Sequence, residues 1–143
     1  MSSVAAIDLG ATSGRVIVGA MSDGELRLHH VARFPNTPVR VADGLHWDVL
    51  GLYSAAMTGL GKASREEGDG LLGAAVDSWA VDYGLLRGSR LLGNPYHYRD
   101  ARNDAAVAAV HAVVGPEELY RRNGLQHLPF NTVFQLIASA RVA

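Results

Sequence analysis

Residues 4–20 read VAAIDLGATSGRVIVGA, two short apolar runs joined by a bend rich in glycine and hydroxyl side chains. Two strands joined by a glycine-containing turn are typical of a β-hairpin. A third run over residues 26–32 alternates after a Ser-Asp-Gly turn and ends near Pro35, where a strand stops readily. The sequence therefore predicts a meander of three antiparallel strands.

Beyond the meander the apolar residues fall at helical spacing. The predicted buried face of this helix is Leu50, Tyr53, Met57, Leu60 and Ala63 or Ser64. Asp48 stands where a carboxylate suits a helix start, and residues 66–70 end the helix. The near-continuous apolar run 71–76 predicts a strand buried on both faces. A helix between the third strand and this one allows a parallel crossover, so we expect a mixed α/β sheet rather than the repeat of a dinucleotide-binding domain.

The second half of the chain predicts a strand near residues 81–86 and a helix over residues 100–114. The apolar face of that helix is Ala106, Val107, Val110, Val113 and Val114. Pro116 starts a short helix, and Thr132 caps a last one. The face of that last helix is Val133, Leu136, Ile137 and Ala140. Because the pattern stops midway through this helix, we expect residues 1–143 to be one truncated domain, the N-terminal part of a longer protein.

Composition narrows the function classes. The 143 residues carry a net charge of −1, so no basic field favours nucleic acid or an anionic membrane. The chain has no cysteine, which excludes disulfides, thiolate metal sites and a cysteine nucleophile. No stretch approaches the roughly 20 apolar residues of a membrane span. We expect a cytoplasmic protein with no nucleic-acid and no membrane partner.

The bend after the first predicted strand has the chemistry of a phosphate site. Gly10 and Gly14 let the backbone approach an anion and adopt unusual angles. Successive N–H groups form an anion-binding concavity, to which the hydroxyls of Thr12 and Ser13 add donors. Asp8 is placed to hold Mg²⁺ directly or through water. The alternative is a tight hairpin in which glycine and serine serve only the turn and Asp8 caps it.

Residues 77–83, DSWAVDY, interrupt an apolar strand region. Strand interiors disfavour aspartate, so this segment predicts a strand end that lines a cleft. Trp79 offers a flat face to the C–H side of a sugar, and Asp82 offers acceptors to hydroxyls. The alternative places Trp79 in the core and makes Asp82 a turn cap.

Two further segments carry candidate sugar-binding residues. Arg99 and Asp100 are suited to sugar hydroxyls, or Asp100 caps the next helix with Arg102 as a surface partner. Phe130 is suited to walling a pocket and Asn131 to bonding a hydroxyl, or both serve helix capping and a hydrophobic staple.

Taken together, these segments resemble the FGGY carbohydrate kinases, and most closely their rhamnulokinase branch. The similarity is collinear from residue 4 to about residue 137. The segments that carry it are DLGATSGR (8–15), GLHWD (44–48), DSWAVDYGLL (77–86), YRDAR (98–102) and GLQHLPFNT (124–132).

The resemblance implies a ribonuclease-H-like, actin-like ATPase domain and ATP-dependent, Mg²⁺-assisted phosphorylation of L-rhamnulose at its 1-hydroxyl. The residues it places on the ATP phosphates are Gly10, Ala11, Thr12, Ser13, Gly14 and Arg15, with Asp8 on Mg²⁺. Around Trp79, Ala80 and Asp82 it implies contact with the ketose, although the family often has glycine in place of Ala80.

The resemblance also places the catalytic base beyond residue 143, so we expect no catalytic residue in this chain and no turnover by the chain alone. A face left open by truncation would allow oligomers. The alternatives are another FGGY kinase, acting on fuculose, xylulose or autoinducer-2, and a non-catalytic sugar-binding module.

Overall fold

Three antiparallel strands open the fold, β1 (Ser3–Leu9), β2 (Ser13–Ser22) and β3 (Glu25–Pro35). The computed structural model describes residues 2–140. β1 pairs with β2 and β2 with β3, each antiparallel. These two pairings confirm the predicted meander. Each of its two turns contains a glycine, as the sequence indicated.

A helix and a fourth strand complete this sheet. Helix α1 (Val49–Glu67) begins at Asp48, whose side chain accepts a hydrogen bond from the Gly51 N–H at 2.9 Å. A short 3-10 helix (Gly68–Gly70) leads into a strand over Leu71–Ser78, which lies parallel to β1. The strands stand in the order third, second, first, Leu71–Ser78. The predicted parallel crossover is therefore confirmed.

Small side chains bring α1 close to the sheet. The core of this unit is formed by Ala5, Ile7, Val16, Val18, Val31, Ala56 and Ala63. Gly59 belongs to the same face, and a Cβ added there would lie 2.6 Å from Val16 Cγ2. A helix can approach a sheet this closely only where it presents glycine and alanine.

Two burial predictions for this unit need correction. In α1, Ala63 is buried and Leu60 packs against the core as predicted, but Leu50, Tyr53 and Met57 are exposed. The other buried residues of α1 are Leu52, Ala56 and Gly59. The strand Leu71–Ser78 is not buried on both faces: Leu72 and Val76 are exposed and Leu71 packs against the core. The reason is that the core beneath α1 is formed by residues of the first three strands, and only Leu71 of this strand packs against it.

The described residues divide into two compact units, residues 2–37 with 48–80 and residues 38–47 with 81–140. The second unit holds two small hairpins and three helices. The strand Leu71–Ser78 of the first unit is β6. The strands of the second unit are β4 (Val39–Val41), β5 (Gly44–His46), β7 (Leu86–Arg87) and β8 (Arg90–Leu91). Its helices are α2 (Arg102–His111), α3 (Pro116–Asn123) and α4 (Thr132–Ala140). Their core is Ala106, Val110, Phe134 and Ala138.

Three predictions for the second unit need correction. Residues 81–85 do not form a strand, since the chain turns at Val81, whose φ is 71°, and only Leu86 of the predicted segment is in a strand, β7. In α2, Val113 lies beyond the helix end and is exposed. In α4 the buried side chains are Phe134, Gln135 and Ala138, while Leu136 and Ile137 are exposed. The sequence end that carried the truncation expectation, residues 141–143, lies outside the described residues.

Among residues 2–140, no helix is long and apolar enough to cross a membrane.

Candidate phosphate and sugar sites

The bend between β1 and β2 is held by its own backbone. The Gly10 N–H donates a hydrogen bond to the Ser13 carbonyl at 3.0 Å. Ala11 and Thr12, at the tip, are exposed, and within residues 2–140 their N–H groups have no backbone partner. An anion can therefore reach two unpaired amides, as the phosphate interpretation requires.

The glycines of this bend serve packing rather than unusual backbone angles. Neither Gly10 nor Gly14 has a positive φ, so the expectation of unusual angles is wrong. Gly14 is buried, and a Cβ added there would overlap the ring of Phe34, its partner in the β2–β3 register. Glycine at this position allows the aromatic ring to lie across the base of the bend.

Asp8 and Arg15 stand opposite each other in the β1–β2 register. Arg15 Nε lies 3.2 Å from Asp8 Oδ2, and both side chains are more than a third exposed. No group of three or more potential metal ligands occurs in the described part of the chain. One accessible carboxylate nevertheless fits Mg²⁺, which is commonly held by one or two carboxylates together with water and substrate phosphates.

Asp82 is bonded on both of its oxygens in the second unit. Its Oδ2 accepts from Trp47 Nε1 at 2.5 Å, and its Oδ1 accepts from Gln135 Nε2 at 2.9 Å. Trp47 and Gln135 are each 1% exposed. Because a carboxylate offers about four lone-pair sites, Asp82 retains capacity for a sugar hydroxyl while being fixed in position.

The residue before Asp82 is strained. Val81 has a φ of 71°, in the left-handed region where a β-branched side chain is an outlier. Its carbonyl accepts hydrogen bonds from Thr132 Oγ1 at 2.7 Å and from Gln135 Nε2 at 3.2 Å. Strain of about 1–3 kcal/mol persists only where its surroundings hold it, and it concentrates at functional sites. Thr132 is the first residue of α4 rather than the cap expected from the sequence, because the Asn131 carbonyl accepts the first helical hydrogen bonds.

Asp100 is buried and bonded to the backbone. Its Oδ2 accepts from the Leu45 N–H at 2.7 Å and its Oδ1 from the Arg102 N–H at 3.0 Å, which is the capping alternative. Arg102 is not a surface partner as expected: its guanidinium lies 3.8 Å from the ring centroid of Tyr96, and its side chain is 13% exposed.

The other candidates of the second unit gather on Tyr98. Arg99 lies over the Tyr98 ring at 5.2 Å, and Phe130 meets that ring edge-on at 5.4 Å between centroids. Asn131 Nδ2 donates to the Gln126 carbonyl at 2.8 Å, and the Asn131 carbonyl accepts from the Phe134 N–H at 2.9 Å. Asn131 therefore stabilises the start of α4 and the loop that precedes it. Trp79, half-buried, and Ala80, exposed, follow β6 in the first unit.

The sequence did not predict a polar network that reaches Asp82 through Gln135. Arg102, which can only donate, gives a hydrogen bond to Ser139 Oγ at 2.7 Å. Tyr83 bonds Ser139 Oγ at 2.7 Å and the Gln135 carbonyl, which can only accept, at 3.0 Å. The direction of donation follows from these limits. Arg102 donates to the Ser139 hydroxyl, Ser139 donates to the Tyr83 hydroxyl, and Tyr83 donates to the Gln135 carbonyl. The available signal was Gln135, a polar residue inside the apolar stretch of α4.

Three groups near this network have shifted pKa values. Burial lowers the pKa of His97 from 6.5, against the opposing charge of Asp82. Burial and a hydrogen bond to Asp43 raise the pKa of Tyr96. Burial tends to raise the pKa of Asp43, but hydrogen bonds from Tyr96 and His46 outweigh it, so the net shift is downward.

Curated proteins similar to this chain include rhamnulokinases. No family model matches the chain. A rhamnulokinase from Bacteroides thetaiotaomicron is 39% identical over 132 residues, covering 92% of this chain and 27% of that protein. A rhamnulokinase from Pectobacterium atrosepticum is 41% identical over 138 residues, covering 94% of this chain and 28% of that protein. The chain is a rhamnulokinase homologue.

This homologue spans 27–28% of the length of the rhamnulokinases that it matches. A solved carbohydrate kinase from Novosphingobium aromaticivorans superposes with a TM-score of 0.81, over 99% of this chain and 29% of that one, at 20% identity. At that identity the likeness shows the fold alone. It confirms the predicted fold class, an α/β domain of the actin-like ATPase type with a mixed sheet.

Proposed function

We propose that the full-length protein carrying this chain phosphorylates L-rhamnulose at its 1-hydroxyl, with ATP as the phosphoryl donor. The observation that carries the proposal is the identity of about 40% to rhamnulokinases across more than nine-tenths of this chain. Cytoplasmic location and the absence of nucleic-acid and membrane partners belong to the same proposal.

In this proposal the bend between β1 and β2 binds the phosphates of ATP. Its exposed tip, Ala11 and Thr12, presents amides without backbone partners in the described range, and Arg15 adds a positive charge nearby. Asp8 would hold Mg²⁺, directly or through water. When bound, Mg²⁺ supplies charge neutralisation to the phosphates. Phosphoryl transfer depends mostly on such positioning and electrostatics, so a bend of amides beside one carboxylate suits the task.

We propose that seven residues contact the sugar. They are Trp79, Ala80, Asp82, Arg99, Asp100, Phe130 and Asn131. The support is unequal. Phe130 and Arg99 both contact the ring of Tyr98, whereas both oxygens of Asp82 and of Asp100 are already bonded. The two aspartates therefore orient the pocket at least as much as they offer acceptors.

The general base on the sugar hydroxyl is proposed to lie beyond residue 143, so the chain alone has no turnover. We also propose that the isolated chain self-associates. The large apolar side chains that support this are Leu50, Tyr53 and Met57 on α1 and Leu72 and Val76 on β6, all exposed in the described structure. Exposed large apolar side chains favour association in water.

A second candidate is another FGGY sugar kinase, favoured by the methyl group of Ala80 where the family often has glycine. A coupled assay of ADP release by the full-length protein, with L-rhamnulose, L-fuculose and D-xylulose, separates the two. We expect the highest kcat/KM with L-rhamnulose, a 1-phosphate product and no ADP release by the 143-residue chain. A higher kcat/KM with another ketose would overturn the substrate, and turnover by the chain alone would overturn the placement of the base.

A further inference from the structure

One side chain fastens the bend between β1 and β2 from outside. Asn36 follows β3 directly and is 3% exposed. Its backbone N–H donates to the Thr12 carbonyl at 3.1 Å, and its Nδ2 donates to the Gly10 carbonyl at 2.7 Å. Two carbonyls of the bend are therefore fixed by a single residue more than twenty positions away in sequence.

The two hydrogen bonds from Asn36 also fix the direction of the N–H groups that follow those carbonyls. In a trans peptide the C=O and the following N–H point in opposite directions within one rigid plane. When Asn36 binds the Gly10 carbonyl, the Ala11 N–H must face away from Asn36, toward the exposed tip. The bond to the Thr12 carbonyl fixes the Ser13 N–H in the same way. Asn36 thereby turns both carbonyl oxygens toward itself and fixes the orientation of two N–H groups, of which the Ala11 N–H belongs to the exposed tip.

We propose that Asn36 is a positioning residue for ATP: it holds the bend so that its amides face the phosphates. The inference rests on the proposed function, because it takes the ligand of the bend to be ATP. Pre-organised donors stabilise an anion without the cost of reorganising at the moment of binding. A free bend would let each peptide plane rotate, and a carbonyl would then face the phosphate for part of the time.

The chain offers a closely matched control in Asn103. That residue is 2% exposed, its Nδ2 donates to the Tyr98 carbonyl at 2.8 Å, and its Oδ1 is buried without a hydrogen-bond partner in the described structure. Asn36 Oδ1 has the same property. The two asparagines thus share burial and bonding, but Asn103 lies in the second unit, which does not contain the bend.

The test compares Asn36→Ala with Asn103→Ala in the full-length protein. Calorimetric titration with ATP and Mg²⁺ gives the Kd, thermal unfolding gives the stability, and steady-state assays give the two KM values. We expect similar losses of Tm in both variants. Only Asn36→Ala should raise the Kd and KM for ATP, by about tenfold or more, because small misplacements of binding groups are costly. The KM for the ketose should stay unchanged in that variant.

Equal ATP affinities for the two variants would overturn the role of Asn36. Absence of ATP binding by the wild type would instead overturn the proposed function, and the inference with it. Should Asn36→Ala fail to fold, Asn36→Asp keeps the shape and removes the donor, with Asn103→Asp as its control. Its weakened ATP binding should persist at high salt, because salt screens charge repulsion but leaves a misplaced bend uncorrected. Full recovery of affinity in salt would refute positioning.

Discussion

At the scale of single residues, His97 has the clearest dependence on protonation. Its ring lies between Trp47 and Tyr98, with centroids 4.2 Å and 4.4 Å away. Its Nδ1 accepts a hydrogen bond from the Arg99 N–H at 3.0 Å, so the folded ring is neutral with its proton on Nε2. A proton on Nδ1 would break that bond, and burial already lowers the pKa of His97.

We therefore expect the free energy of unfolding to fall as pH decreases below about 6.5, the ordinary pKa of histidine. Between that value and the lower pKa of the folded state, the unfolded chain binds a proton that the folded chain does not, so acid favours unfolding. Above this window His97 is neutral in both states and adds no slope. Urea titrations of the chain at a series of pH values measure the effect.

The variant that isolates this effect is His97→Asn, because its side-chain oxygen can replace the Nδ1 acceptor while the titrating ring is removed. It should flatten the dependence of stability on pH in this window. The exposed His30 provides the control, and His30→Asn should retain the wild-type slope. An unchanged slope in His97→Asn would show that another group is responsible.

The sequence indicated where the candidate site residues lie, but it did not indicate which residues they bond to. The spacing of glycine, hydroxyl and carboxylate side chains predicted a bend after β1, and the structure has a bend there with Ala11 and Thr12 exposed, whereas phosphate binding by that bend stays a prediction. It did not show that Asp82 is bonded to Trp47 and Gln135, because those residues are 35 and 53 positions away. Contacts between distant residues depend on the tertiary fold, which a local pattern does not contain.

At the scale of elements, the order of strands and helices in the first unit followed from the sequence, while the buried helix faces did not. In α1 the large apolar residues Leu50 and Met57 are exposed, and the buried side is made of small residues. An apolar period indicates the larger side chains, whereas close packing on a sheet selects side chains that fit the space. In α4 the buried residues include the large Phe134 and Gln135 as well as Ala138, whereas Leu136 is exposed, so the apolar period did not indicate the buried face there either.

Two glycines of α1 test this close packing. A Cβ at Gly59 would lie 2.6 Å from Val16 Cγ2 and 3.0 Å from Ala32 Cβ, whereas at Gly61 the nearest atom would be 3.5 Å away. Gly59→Ala should lower the free energy of unfolding by about 1–3 kcal/mol through overpacking. Gly61→Ala should raise it by about 0.5–1 kcal/mol through helix propensity. Urea titrations of both variants provide the measurement, and stabilisation by both would contradict close packing of α1 on the sheet.

At the scale of the whole molecule, the chain combines a sheet unit bearing an anion-accessible bend with a second unit rich in aromatic and polar contacts. The mixed sheet was predictable because the meander, the helix and the following strand each have a distinct period. The strand β6 is more exposed than its apolar sequence predicted. An apolar run indicates what a strand can bury, but the neighbours that cover it are not encoded in the strand itself.

The proposed function depends on the bend between β1 and β2 binding the phosphates of ATP. A crystal structure of the full-length protein with a non-hydrolysable ATP analogue and Mg²⁺ measures this directly. We expect phosphate oxygens within about 3 Å of the Ala11 and Thr12 amide nitrogens, the range of a hydrogen bond. Phosphates bound elsewhere, with those two amides facing solvent, would contradict the proposed function.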